Sequence, residues 1–90
     1  MSVDVDWGHL LVLNGYKDET IEADKILARI WWTDYEPEYS SVEQFLFHPE
    51  EAITFCEKAR VVMGLSIEDY NILKRLSNLR KSRFLEVMKL

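Results

Sequence analysis

Residues 49–64 read PEEAITFCEKARVVMG, and this stretch decides the fold class. Pro49 has no amide hydrogen to lose and a fixed φ, so it suits the first position of a helix. Glu50 and Glu51 follow, placing negative charge where the free amides and the helix dipole favour it. Ala52, Phe55, Cys56, Ala59, Val62 and Met63 then recur at three- and four-residue intervals, which is one apolar stripe along a helix. Gly64 closes the pattern, because glycine enters the left-handed conformation of a helix end without steric cost.

The same period continues on both sides. Upstream, Ala23, Ile26, Leu27, Ile30 and Trp31 form a second stripe, with Asp18 or Thr20 as its N-cap and Glu22 in its first turn. Glu22 precedes Lys25 by three residues, a spacing that allows one weak ion pair. Residues 33–40, TDYEPEYS, read as a loop, since Pro37 disfavours a helical Glu36. Ser41 with Gln44 suggests a capping box for a short helix from Val42 to Phe47, stopped at His48 by Pro49. Downstream, Ser66 with Asp69 suggests a second capping box. The final helix turns either Ile67, Tyr70, Leu73, Leu76 and Leu79 or Ile72, Leu76 and Leu79 inward. It then runs on through Phe84, Val87 and Met88 or breaks near Ser82.

The first sixteen residues are ambiguous. Val3, Val5 and Trp7 alternate with polar residues, as in an extended arm or short strand. Leu10 to Leu13 ends in Asn14-Gly15, which fits a short helix from Asp6 to Leu13 or a second strand. The helix is preferred, because a lone hairpin is only marginally stable in water. The sum is an all-α domain over residues 1–90, a small orthogonal or bundle-like array of four to five helices.

Composition agrees with this reading. Hydrophobic residues make up 48% of the 90 and charged residues 30%, a globular balance that excludes intrinsic disorder. Cys56 is the single cysteine, so no internal disulfide forms and no cysteine-based structural zinc site is possible within one chain. A reducing cytoplasm is the simplest compartment for such a chain. The N-terminus lacks the basic and apolar regions of a signal peptide, and no apolar run approaches membrane-span length.

Charge is distributed unevenly. Lys74, Arg75, Arg80, Lys81, Arg83 and Lys89 lie in the last twenty positions against Glu86 alone, a local balance of +5 in a chain of net charge −5. Cations near a helix C-terminus are locally favourable, which explains part of the asymmetry. The remainder marks Lys74, Arg75, Arg80, Lys81 and Arg83 as a candidate basic patch. Together with the hairpin near residues 52–80, it resembles a helix-turn-helix arrangement in outline. Glu68 and Asp69 open the second helix, however, and would face DNA with two carboxylates.

Trp32, Tyr35 and Tyr39 are candidates for a protein interface. They lie in an aromatic, acidic segment, and such side chains bury area while keeping a polar group. Neither Asp4, Asp6 and His9 nor His48, Glu50 and Glu51 has the spacing of a known metal site, and Cys56 falls on an inward stripe as a core thiol. No cofactor, metal or membrane is implied. The expected function is a non-catalytic module acting through protein contact or as a homodimer. Nucleic-acid binding through the basic helix is the alternative, and an enzyme or ligand-binding domain would need a polar pocket around His9 or His48.

Overall fold

The computed structural model describes residues 7–35 and 42–88, and every described element is helical. The helices are α1 (Trp7–Leu13), α2 (Thr20–Ile30), α3 (Val42–Leu46), α4 (Pro49–Met63), α5 (Asp69–Lys81) and α6 (Phe84–Val87). A π-helical turn, Trp31–Tyr35, extends α2. Four helices are substantial and two are single turns, so the all-α reading holds. The extended arm at Val3 and Val5, the loop around Pro37, Ser41 of the first capping box, the interface candidate Tyr39, and Lys89 of the basic tail lie outside the described residues.

Helix ends follow local chemistry in some places and not in others. At the end of α1, Gly15 has φ 84, Tyr16 N–H donates to Leu11 O (2.9 Å) and Gly15 N–H donates to Val12 O (3.0 Å). This is the paired-bond motif that closes helices, and it settles residues 10–15 as helix and cap. Pro49 begins α4, and Gly64 closes it with φ 69 while Leu65 N–H reaches back to Arg60 O. At α2 and α5 the expected side-chain caps do not form. Glu19 and Glu68 precede α2 and α5 without a capping side-chain bond, and Asp69 turns its carboxylate to Arg60. The Ser66–Asp69 box is ruled out by register, because α5 starts at Asp69 with Glu68 and not Ser66 as its N-cap.

The core lies between α2, α4 and α5, with α3 seated against α4 and α5 and α1 against α2. Its centre is aromatic. Phe45 and Phe55 are fully buried with ring centroids 5.7 Å apart, and Tyr35 lies 4.9 Å from Phe45 and 5.6 Å from Phe55. Trp31 meets Phe45 edge-on at 5.3 Å. These are the offset and edge contacts that aromatic quadrupoles favour. The Cα radius of gyration, 12.4 Å, is close to the ~12 Å expected for a compact chain of this length.

Two register changes shape this core. After Ile30 and Trp31, an unbroken α-helix would bring Asp34 onto the buried face. The wider π turn delays the chain by about one residue. Tyr35 takes the inward place, while Asp34 faces outward and accepts a bond from Lys58 Nζ at 2.7 Å. After Leu79, continued α-helix would bring Ser82 and Arg83 inward. Here α5 stops. Ser82 hydroxyl donates to Leu79 O (3.1 Å), Arg83 adopts φ 66, and α6 re-aims Leu85 into the core. Of the two sequence alternatives for the last helix, the break near Ser82 is the one observed.

Candidate interaction surfaces

The aromatic candidates are largely spent on folding. Tyr35 is 3% exposed, which removes it as an interface residue: the π turn carried it inward from what the sequence reads as a loop. Burial holds its phenol above the ordinary pKa, with nearby Lys58 opposing. Trp32 is half-buried, and its indole N–H donates to Leu85 O at 2.7 Å. Its polar group therefore fastens α6 to the π turn.

The basic candidates divide in the same way. Arg75 makes a two-pronged ion pair with Asp24, Nε to Oδ1 at 2.9 Å and Nη2 to Oδ2 at 2.6 Å. Asp24 is buried on α2, so this fork clasps α2 to α5 and neutralises a charge that burial would otherwise penalise. Arg75 thus serves the fold, with 27% of its side chain still accessible. Arg83 bonds Glu86 on the exposed side of α6 through Nε (3.1 Å) and Nη2 (2.9 Å). Lys74 lies over the Tyr70 ring, 5.6 Å from its centroid, and both Lys74 and Arg80 make further interactions. Lys81 is exposed. Tyr70, Lys74 and Lys81 share the outer face of α5, opposite Ile72, Leu76 and Leu79.

The turn from α4 to α5 is stitched by Arg60. Its guanidinium donates to the Asp69 carboxylate and to Ile67 O (3.2 Å). One of the two acids that weigh against the helix-turn-helix reading is therefore paired within the chain, while Glu68 remains exposed. Cys56 is fully buried, and its thiol donates to Asp69 O at 3.7 Å. Burial, with Asp69 beside it, pushes its pKa up to about 12, which keeps it protonated and unreactive at neutral pH. His9 and His48 are both on the surface. Among the described residues, no group of three histidine, cysteine or acidic side chains is placed to hold a metal ion, and no helix is long and apolar enough to cross a membrane.

The surface the sequence missed is apolar. Val61 and Phe47 are each 81% exposed, and Val62, counted on the inward stripe, is 57% exposed. Val12, Leu13, Tyr70 and Val87 are also more than half exposed. Val61 was legible, since at 100° per residue it lies opposite Ala52, Ala59 and Met63. Val62 was not, because its spacing from Ala59 matches a core position. Comparison with known proteins supplies no further constraint: no family model, curated protein or solved structure matches the chain.

Proposed function

We propose that this domain is a non-catalytic module that works by protein contact, in the first instance with a second copy of itself. The carrying observation is the adjacent pair Val61 and Val62 at the end of α4, exposed at 81% and 57%. Two β-branched residues in a helical turn are poor helix formers, and here they fill no core, so neither folding role accounts for them. Phe47, before the start of the same helix, adds an aromatic side chain almost wholly in solvent. Apolar area of this kind gains free energy when a partner covers it. The lone buried thiol suits a reducing cytoplasm as the setting.

Light scattering on size-exclusion fractions across a concentration series tests self-association. A concentration-dependent dimer that reverts to monomer in Val61→Ser/Val62→Ser supports the reading, and a strict monomer at high concentration removes its self-associating form.

Nucleic-acid binding is the second reading, supported by the outer face of α5. That face carries Tyr70, Lys74 and Lys81, while Asp69 is turned away to Arg60. A salt titration against duplex DNA should show log K falling with log salt, by roughly 0.9 per phosphate neutralised. Absence of binding at low salt ends this alternative.

A further inference from the structure

Arg83 combines three properties that meet nowhere else among the described residues. It is the one non-glycine residue with positive φ (66°), it joins two helices, and the helix it opens is a single turn without a side-chain cap. A side chain in this backbone region is strained, and one helical turn does not hold itself. The turn is fixed by Leu85, which is buried, by the bond from Trp32 to Leu85 O, and by the partial burial of Phe84 and Met88. We propose that Arg83–Met88 is a hinged strap that exchanges between this folded-back form and one in which α5 runs straight on.

The straight form is encoded in the helical period. Continued α-helix returns Arg83 to unstrained backbone and restores the bonding ladder across Ser82, at the cost of turning the Arg83 side chain toward the Ile72–Leu76 face, so the straight form is the minor one. It also changes what α5 displays. At 100° per residue, Tyr70, Lys81, Leu85 and Met88 fall within roughly 60° of one another, on the face opposite Ile72 and Leu76. Folded back, Leu85 completes the core. Straightened, Leu85 and Met88 join Tyr70 and Lys81 on the outer face, and the Trp32 indole is uncovered. The device therefore couples release of one buried leucine to the appearance of an apolar, basic surface. It does not depend on the contact role proposed above, because its test needs no partner.

Amide hydrogen exchange on the intact chain reads the strap directly. The bonds from Val87 N–H to Arg83 O (3.2 Å) and from Met88 N–H to Phe84 O (3.0 Å) report α6, and the Trp32 indole N–H reports its anchor. In the unsubstituted protein all three should exchange together, at least about a hundredfold faster than the Leu76 amide, because opening is local. Arg83→Gly removes the strain and disfavours straight helix, so it should slow these three sites about tenfold. Leu85→Ala should speed them at least about tenfold and move the Ser82 and Arg83 13Cα shifts toward helical values. Exchange in step with Leu76, or no slowing in Arg83→Gly, overturns the strap. Coil-like shifts at Ser82 and Arg83 in Leu85→Ala overturn the straight form. Should Leu85→Ala not fold, the unsubstituted protein and Arg83→Gly still decide the matter.

Discussion

The turn at Trp31–Tyr35 and the junction at Ser82–Leu85 meet the same problem with different solutions. In each, an ideal helix would carry a polar side chain into the core, Asp34 in one case and Arg83 in the other. The first is solved inside the helix. A π turn absorbs the extra residue, Tyr35 stays in line with Phe45 and Phe55, and backbone bonding continues. The second is solved by breaking the helix and folding one turn back through a strained arginine. A register error near the centre of the core is corrected with continuous structure, because an interruption there would leave buried backbone groups unpaired. At the rim, solvent satisfies the interrupted groups and a break is tolerated.

This contrast sets the order of mutational effects. Tyr35→Ala should cost about 3–5 kcal/mol in denaturant unfolding, the range for large aromatics lost from a packed core. A cost under about 1 kcal/mol would mean that the π turn does not serve to place this ring. Leu85→Ala should cost less, about 2–3 kcal/mol, because release of the strap at the rim limits the loss. A larger cost than that of Tyr35→Ala would reverse the ranking of centre over rim.

Alkaline titration separates the two regions by charge. Tyr35 and Cys56 both sit with pKa values raised by burial, Cys56 to about 12 from 9.0. The folded state thus holds protons that the unfolded chain releases. Stability from these groups is complete below pH 9 and is lost as pH rises through 9 to 12. Cys56→Ala should flatten the part of the decline that begins near pH 9, and Tyr35→Phe the part that begins near pH 10. Leu85→Ala should leave the shape of the curve unchanged. The smallest effect belongs to Asp34→Ala, within about 0.5 kcal/mol, because its bond to Lys58 is an exposed surface pair. A large loss would mean that Asp34 helps to hold the π turn.

The fold was legible where the signal is local and periodic. Pro49, Gly64 and Asn14-Gly15 mark helix ends through backbone chemistry that depends on their own residues. The stripes of α2, α4 and α5 were readable for the same reason. Asp24 and Arg75 were not, because nothing within either helix announces a partner 51 residues away. Asp24 interrupts an otherwise apolar stripe, and only the facing guanidinium makes it a core residue. Tyr35 was misplaced because proline at position 37 argues for a loop, while the choice of a π turn depends on the cavity that Phe45 and Phe55 leave for its ring. The surface was the least readable part. Aromatic and basic residues, conspicuous in composition, largely turned inward or paired, and the exposed Val62 has the spacing of a core residue.

The two guanidinium clasps also differ in how far the chain must travel to make them. Arg60 finds Ile67 and Asp69 within nine residues, so the α4–α5 hairpin closes a short loop at small entropic cost. Arg75 reaches Asp24 across 51 residues and can do so only once α2 is docked. The local clasp is therefore suited to act early in folding, while the hairpin is still searching for the rest of the chain. The distant one locks the assembled helices, and its effect belongs to the rate at which the finished fold comes apart.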